Sequence, residues 1–593
     1  MQARAIAPGD MKAQFAERGD GMSDEIVEHE AWPVRALLLA GLGALLGLAF
    51  DLIITEGEHR WTEDPLRMSA ASFIAVGGIS FAFTLERLRW LWSLVFALGC
   101  GLTVALIFYW NGSPSDWSAG DELRIFSALL AIAIAAPLFQ MVRDQGRWAP
   151  FYTDVHAHAW TNIVLWFASW AFVLITWLLA QLLAELFHLI GIELLRDAMR
   201  KSWFNLTLIG AALGGAAGLL RDRDQVLGLL QRVVTTVLSV LAPVLAVGLA
   251  LFVLALPITG RAPLWEKTSA TTPILLGAIA GAFILANAVI GNSVDEEARG
   301  RALRASAMML GAVMTPLALV AVISTWLRID QHGLTPERLW ALVFVIAVLA
   351  VSLTYLWALL RGRAAWSDRV RPANVGLAIG ICAVALILAT PLVNFGAIST
   401  RDQLARLESG KVEPEQFDWA ALRFDFGPAG RRALERLASS GPAAFRAQAR
   451  NALALKDRWA AREETRVGQN ARELAQNLRV MPRQVPVPQG LMTALARQHI
   501  CGYGRCTLFW TAGAPAAVAV GLPCENCQAA AARLLVDDQG GWRVADAPGG
   551  TRRGAPGSSK AQQEALEQGR VEIRSVQRQQ VFVGGKPVGA PFE

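Results

Sequence analysis

The chain has 593 residues, of which 54% are hydrophobic and only 18% are charged, and its mean hydropathy is +0.38. A soluble globular chain of this size is more polar, so the composition indicates a multi-pass protein embedded in the lipid bilayer. The net charge of +6 comes mainly from arginines spread over short loops. That distribution argues against the continuous basic face of a nucleic-acid-binding protein.

Eleven apolar stretches are long enough to cross about 30 Å of hydrocarbon as helices. They cover residues 32–54, 67–84, 90–110, 122–142, 159–191, 203–220, 231–256, 272–293, 305–326, 338–360 and 373–395. The sequence therefore predicts an all-α polytopic membrane helix bundle over residues 32–395, after a first segment, 1–31, of mixed charge. The fifth stretch is longer than a bilayer requires, and a hidden extra crossing there would invert everything after it.

Arginines gather in alternate loops. They lie at positions 87 and 89, 143 and 147, 221, 223 and 232, 299, 301 and 304, and 361, 363, 369 and 371, whereas residues 110–121 contain no Lys or Arg. Because positive residues mark cytoplasmic loops, this pattern predicts a bacterial inner-membrane protein with a cytoplasmic N-terminus and a periplasmic C-terminus. Arg196, Arg200 and Lys201 are the exception to the pattern.

Glycines recur four residues apart in several spans, which lets helices approach each other closely. These positions are 43 and 47, then 210, 214 and 218, then 277 and 281, then 376 and 380.

Two groups of polar residues are candidate sites in the membrane half. Gln181, Glu185 and His188 share one helical face late in the fifth span and could form a polar path across the membrane. The favoured alternative is that this part of a long helix protrudes into water. His156 and His158 are weak metal candidates that would diverge on a helix, and an interfacial aromatic cap is favoured over a metal site there.

Four segments of the membrane half carry a recognisable pattern. They are residues 151–162 (FYTDVHAHAWTN), 256–265 (LPITG and then LW), 286–288 (ANA) and 328–338 (RIDQHGLTPER). In these segments the chain resembles the bacterial multi-pass membrane family catalogued as domain of unknown function 4153. The resemblance implies an inner-membrane protein, and it brings no established activity and no catalytic residue.

The 328–338 segment falls in the predicted outer loop between the ninth and tenth spans. Gly333 can adopt a positive φ, Thr335 can cap a helix, and Pro336 suits a first helical position. This turn chemistry favours a structural loop. The alternative is an outer-loop binding site formed by Arg328, Gln331, His332 and Arg338.

The composition after residue 395 is that of a soluble α+β tail. Residues 396–481 are predicted to be the helical part of the periplasmic region, with a break at Gly441-Pro442. Residues 482–593 are predicted to form a small strand-rich, cysteine-containing domain, with strands at 507–511, 516–520, 534–536, 542–544, 571–576 and 581–583.

Four of the six cysteines are grouped in the tail: Cys501, Cys506, Cys524 and Cys527. Their spacing fits two disulfides and also a four-thiolate zinc site. Disulfides are favoured because a periplasmic tail lies in an oxidising compartment. A catalytic dithiol at Cys524 and Cys527 is a further alternative.

No Gly-rich phosphate loop, nucleophile elbow or His-Glu-x-x-His helix occurs in the sequence, so no nucleotide and no cofactor is expected. The leading hypothesis is a non-enzymatic envelope protein that presents a disulfide-stapled periplasmic domain to envelope partners. A secondary transporter of a small solute is the runner-up, and a water-accessible cavity lined by Glu185, His188 or Asn287 would place it first. A membrane-bound thiol redox protein is the third hypothesis.

Overall fold

The structure is a computed structural model. It describes residues 32, 34–57, 60–148, 151–259, 271–482, 485–497, 501–522, 529–537, 540–544, 559–573, 579–583 and 586–592. The chain divides into two compact units, Met1–Ala449 and Arg450–Glu593.

Eleven helices of the described part of the chain are long and apolar enough to cross a membrane, as the sequence predicted. They are α1 (Arg35–Ile54), α2 (Pro65–Thr84), α3 (Trp90–Asn111), α4 (Asp121–Gln145), α5 (Tyr152–Leu189), α7 (Ser202–Arg221), α8 (Asp224–Thr259), α9 (Thr271–Ile290), α10 (Arg301–His332), α11 (Pro336–Gly362) and α12 (Ser367–Ala389). A short helix, α6 (Leu194–Met199), follows α5 and adds no crossing. The long fifth span is therefore a single helix.

Successive spans alternate in direction, so the loops fall into two sets. The arginine-rich end of the bundle carries the loops 85–89, 146–151, 222–223, 291–300 and 363–366. The opposite end carries the loops 55–64, 112–120, 190–201 and 333–335, and a small hairpin of β1 (Thr55–Glu56) and β2 (Arg60–Trp61) lies in the first of them.

Glycines bring α1 and α7 into backbone contact. A Cβ added at Gly43 would lie 2.0 Å from the carbonyl oxygen of Gly210, and one added at Gly214 would lie 2.0 Å from that of Leu39. No side chain fits at such a distance, so the glycines at 43, 47, 210, 214 and 218 are required by packing. The prediction fails for Gly277, Gly376 and Gly380, which have nothing within 4 Å of an added Cβ and face open space.

The largest core of the membrane unit lies among α8 to α12. Small and aliphatic side chains of α10, such as Ala318 and Leu310, are fully buried there. Tyr355 of α11 is also fully buried in this core. Its hydroxyl therefore requires a partner inside the bundle.

Three helices after the last span return to the opposite end of the bundle. They are α13 (Phe395–Glu408), α14 (Trp419–Phe424) and α15 (Gly427–Ser440). The Phe395 ring packs edge-on against Trp340 at 5.2 Å between centroids, and Arg431 pairs with Asp116 at 3.2 Å. The membrane unit thus carries its own extramembrane helices, hereafter the platform (residues 395–440).

The second compact unit has a separate core. Its helices are α17 (Arg458–Asn477), α18 (Gln489–Arg497) and α19 (Ser559–Gln568), and α16 (Ala443–Ala454) spans the division. Its main sheet has the order β3 (Leu478–Met481), β4 (Tyr503–Phe509), β5 (Ala516–Leu522), β6 (Ala530–Val536), β7 (Trp542–Val544). Among the described strands of this sheet, only the β3–β4 pair is parallel. A hairpin of β8 (Gln579–Val583) and β9 (Lys586–Phe592) completes the described strands.

The described part of the tail has strands at five of the six predicted positions, but helices α18 and α19 and strand β9 were not predicted, and there are three further differences. The helical break at Gly441-Pro442 is present, but Leu478–Met481, predicted as the end of a helix, forms strand β3 beside β4. Residues 571–573 are not a strand, and the rest of the predicted strand 571–576 lies outside the described residues. The compact units divide at residue 449, so α17 and β3 belong with the strand-rich part of the tail.

Candidate ligand-binding cavity

A cavity of about 660 Å³ lies in the membrane unit between α5, α8, α9 and α12. This volume is within the range of about 300–1,000 Å³ typical of small-molecule sites. Its walls are aliphatic and aromatic, and no Asp, Glu, Lys or Arg of the described residues lines it. Such a lining suits an apolar ligand and is unfavourable for an ion.

Polar groups are confined to one end of the cavity, here called the polar floor (Tyr152, His156, Asn287 and Asn374). The side chains come from the first two turns of α5, the last turn of α9 and a position about two turns into α12. All three helix ends adjoin loops of the arginine-rich end. The floor is therefore near that end, and the apolar walls extend from it towards the middle of the bundle.

Asn287, Tyr355 and Asn374 form a closed ring of hydrogen bonds behind the floor. The Asn287 amide donates to the Tyr355 hydroxyl at 2.7 Å, the hydroxyl donates to Asn374 Oδ1 at 3.2 Å, and the Asn374 amide donates to Asn287 Oδ1 at 2.7 Å. Asn287 also donates to the carbonyl oxygen of Phe283 at 2.8 Å. The ring joins α9, α11 and α12 and fixes the orientation of both amides.

Tyr152 and His156 form the outer part of the floor. Their rings lie 4.8 Å apart between centroids, and His156 lies 6.2 Å from Trp160 one turn further on. The Tyr152 hydroxyl is buried and has no hydrogen-bond partner among the described residues. Leaving such a group unpaired costs about 1–3 kcal/mol, so a ligand that reached this enclosed hydroxyl would gain by bonding to it.

The sequence identified this floor only in part. His156 and Asn287 are named as candidates in the sequence analysis, and Tyr152 lies in the segment 151–162 that carries the family resemblance. Tyr355 and Asn374 were not singled out, because each is an isolated polar residue in or beside an apolar stretch. In the sequence, each is recognisable only as a polar residue within a membrane span. Such a residue suggests a functional site, but the sequence does not show which residue it pairs with.

The two candidate metal-binding histidines diverge because they lie on helix α5. His156 faces the cavity, whereas His158 Nε2 lies 3.3 Å from Asp144 Oδ2. Among the described residues, no group of three or more His, Cys, Asp or Glu side chains could hold a metal ion. The two histidines therefore do not share a site.

Glu185 and His188 lie at the far end of α5 in an exposed cluster. The Glu185 side chain is 59% exposed and lies 3.7 Å from Arg196. His188 contacts Glu193 at 2.5 Å and accepts from Arg196 at 2.7 Å. None of the candidate path residues, Gln181, Glu185 or His188, lines the cavity.

The outer-loop segment 328–338 is held by the platform. The amide of Leu334 donates to Asp402 at 2.7 Å, Gln403 donates to the His332 carbonyl at 2.9 Å, and Arg406 donates to the Gln331 carbonyl at 2.8 Å. The Arg338 guanidinium turns back onto the loop and donates to the Gly333 carbonyl at 2.9 Å.

Of the four candidate residues in this loop, Gln331 and His332 thus contribute backbone carbonyls to platform contacts. The Arg338 side chain bonds within the loop, and Arg328 also has an interaction partner.

A disulfide joins Cys501 and Cys506, whose Cα atoms are 5.4 Å apart. Cys524 and Cys527 lie outside the described residues. Cys100 and Cys382 in the spans are free.

Buried arginines close helix ends at the arginine-rich end, which the loop charges alone did not reveal. Arg35, Arg143 and Arg221 donate to the last carbonyls of α2 or the residue after it. Arg371 donates to the Ile290 carbonyl at the end of α9 at 2.9 Å and pairs with Glu297 at 3.1 Å. The positive residues that predict orientation therefore also satisfy helix C-termini.

Eleven membrane-length helices around a buried amide–phenol ring and an apolar cavity define a multi-pass helical membrane protein. Within that class, the family model described as Domain of unknown function (DUF4153) matches residues 71–437. The match covers more than half of the chain, and the chain belongs to this family; the predicted resemblance is confirmed. No curated protein and no solved structure matches the chain.

Proposed function

We propose that this chain is a non-enzymatic protein of the bacterial inner membrane that presents a disulfide-stapled domain to envelope partners in the periplasm. The observation that carries the proposal is the asymmetry between the ends of the bundle. Arginines collect at one end, and the platform contacts loops of the other, one of which, 112–120, has no Lys or Arg. Arg196, Arg200 and Lys201 in the 190–201 loop of that other end are the exception. Positive residues favour the cytoplasmic side, so the platform and the tail belong outside.

The disulfide Cys501–Cys506 supports the same orientation. Disulfides persist in the periplasm and are rare in the cytoplasm. The membrane unit would then act as a rigid anchor, and the second compact unit would meet other envelope proteins.

Single-cysteine labelling tests the orientation. Ser115→Cys places a thiol in the 112–120 loop, and Leu88→Cys places one on a side chain that is 92% exposed in the 85–89 loop. A membrane-impermeant maleimide is added to cells with a permeabilised outer membrane, and peptide mapping locates the label. We expect labelling of Ser115→Cys in such cells and of Leu88→Cys only after lysis. The reverse result would refute the proposed orientation.

A second measurement tests the redox state of the tail. The full chain is alkylated under denaturing conditions without reductant, its modified cysteines are mapped, and zinc is quantified in the same sample. We expect Cys501 and Cys506 to remain unmodified and zinc to be absent. Alkylation of all four tail cysteines with about one zinc per chain would instead support a cytoplasmic zinc module.

A second candidate function, transport of a small solute, has one observation in its favour. Asn287 lines a cavity of about 660 Å³ inside the membrane unit. Transport requires alternating access to water from both sides. Ala378 lines the cavity, so Ala378→Cys can be treated with a water-soluble thiosulfonate and with a lipid-soluble maleimide. Labelling by the water-soluble reagent from each side would favour transport, whereas labelling by the lipid-soluble reagent alone favours an anchor.

A further inference from the structure

We propose that the cavity binds one acyl chain of a membrane glycerolipid, with the ester region of that lipid at the polar floor. No charged residue among the described ones lines the cavity, so the part of the ligand inside it is uncharged. An acyl chain with its ester is such a group, and the bilayer supplies it at high concentration.

The walls of the cavity reach the outer surface of the bundle. Ile163, Phe167, Val234 and Ile284 all line the cavity, and all are exposed on helices that face hydrocarbon. An apolar ligand can therefore enter sideways from the bilayer without crossing water. Phe167 is 69% exposed, whereas Asn287 at the floor is 8% exposed, so burial increases from the mouth to the floor.

The cavity is long enough for an extended lipid tail. Tyr152 and Phe167 are about 22 Å apart along α5 at the usual helical rise, and one leaflet of hydrocarbon is about 15 Å deep. The cavity is therefore elongated along α5, starting from the polar floor. A long chain fits this outline better than a compact solute does.

The floor offers hydrogen-bond donors to an ester oxygen. The enclosed Tyr152 hydroxyl lies beside the Asn374 side chain and makes no hydrogen bond of regular geometry among the described residues, and the Asn374 amide donates one hydrogen bond there although it has two hydrogens. Both side chains are held in place, Tyr152 by the first turn of α5 and Asn374 by its ring with Asn287 and Tyr355.

The lipid comes from the leaflet at the arginine-rich end, where the floor lies. Arg147 and Trp148 are exposed just before α5, at the level expected for headgroups. The phosphate would remain outside the cavity among such groups. Naming this leaflet cytoplasmic rests on the proposed function, but the binding itself does not depend on orientation.

Photo-crosslinking of the full chain tests this proposal. The protein is reconstituted in phosphatidylethanolamine and phosphatidylglycerol vesicles with a trace of phosphatidylethanolamine whose acyl chain carries a diazirine. After irradiation, peptide mapping locates the adducts. We expect several-fold more adducts on residues 160–168 than around Leu102 and Leu106, which are exposed on α3. Equal labelling of both surfaces would overturn the proposal.

Two variants on α12 provide a matched comparison. Ala378→Phe fills the cavity, whereas Ala383→Phe adds the same ring to an exposed position on the same helix. We expect Ala378→Phe to lower the adducts on residues 160–168 several-fold and Ala383→Phe to leave them unchanged. Ala378→Leu replaces Ala378→Phe if that variant does not accumulate. No effect at position 378 would overturn the proposal.

Tyr152→Phe tests the polar contact separately. It should reduce adducts from the diazirine lipid several-fold and leave those from a diazirine-bearing alkane unchanged. A result in which both probes respond alike would refute the ester contact at the floor.

Discussion

Asn287, Tyr355 and Asn374 illustrate how single polar residues fix helix positions inside a membrane. Each comes from a different span, and the three are joined by hydrogen bonds of 2.7 to 3.2 Å. A polar group in hydrocarbon finds no water, so each amide depends on its protein partners. The ring therefore selects one arrangement of α9, α11 and α12 among those that apolar packing alone would allow.

Tyr355→Phe removes the hydroxyl from this ring. We expect the free energy of unfolding to fall by about 1–2 kcal/mol, because Asn374 loses a donor and Asn287 loses an acceptor in a dry site. Unfolding in mixed micelles titrated with a denaturing detergent measures the change. Thr354→Val is the matched control, since the Thr354 hydroxyl donates only to the Ala350 carbonyl of its own helix. An equal loss in both variants would contradict the role given to the ring.

Comparing alanine substitutions at Gly333 and Gly112 distinguishes the cost of backbone strain from the cost of a steric clash. Both end spans with φ of 75°, but an added Cβ at Gly333 would lie 2.5 Å from Gln403 and 2.7 Å from Asp402, whereas Gly112 has nothing within 4 Å. Gly333→Ala should lower the free energy of unfolding by at least about 1 kcal/mol more than Gly112→Ala, because only the former displaces the platform. The same detergent titration compares the two. Equal losses would mean that the platform does not press on this loop.

At the scale of elements, the α1–α7 pair depends on glycine. Gly43→Ala forces a methyl group to within 2.0 Å of the Gly210 carbonyl oxygen, so the backbones must separate. We expect a loss of about 1–3 kcal/mol in the free energy of unfolding. Gly41→Ala on the same helix meets nothing within 4 Å and should be neutral or slightly stabilising. Similar effects of the two changes in the detergent titration would argue against close packing of this pair.

Hydropathy predicted the elements well and their contacts poorly. All eleven spans follow from apolar runs, because a helix must satisfy its backbone over the full thickness of the bilayer. Glycine spacing predicted the α1–α7 contact but also marked Gly376 and Gly380, which face open space. Spacing alone cannot distinguish a glycine that meets a backbone from one that faces lipid.

The contacts that form the polar floor also could not be predicted from the sequence. Asn287 and Asn374 are separated in sequence by two further spans, and nothing in a single sequence states that α9 and α12 meet. The platform was predicted as helix, but its hydrogen bonds to the 333–335 loop depend on tertiary contacts that composition does not encode.

At the scale of the whole molecule, the family match ends inside α15, at the end of the platform. The matched part of the chain therefore includes nearly all of the platform and none of the second compact unit, which begins at Arg450. The membrane unit also has its own core, separate from the core around Leu491 and Leu508 in the tail.

Two truncations test this division. A chain that stops after Leu455 keeps the platform and should accumulate in the membrane with an unfolding midpoint within a few degrees of the full chain. A chain that stops after Thr390 loses the platform partners of Leu334 and should accumulate poorly or melt earlier. Fluorescence-detected size exclusion after heating measures both. Loss of the first protein, or full stability of the second, would contradict the division.

The glycine contact between α1 and α7 also sets an order in time. About 170 residues separate the starts of the two helices, so at roughly 5–20 residues per second α7 is synthesised about 10–30 s after α1. During that interval the face of α1 that carries Gly43 and Gly47 lacks its partner α7, although α2, which also packs against α1, is already made. The hydrogen-bonded backbone of α1 is stable in the bilayer meanwhile. Lipid must then leave that face before Gly43 and Gly210 can meet. The α1–α7 contact therefore forms only after α7 has been synthesised, long after α1 has entered the membrane.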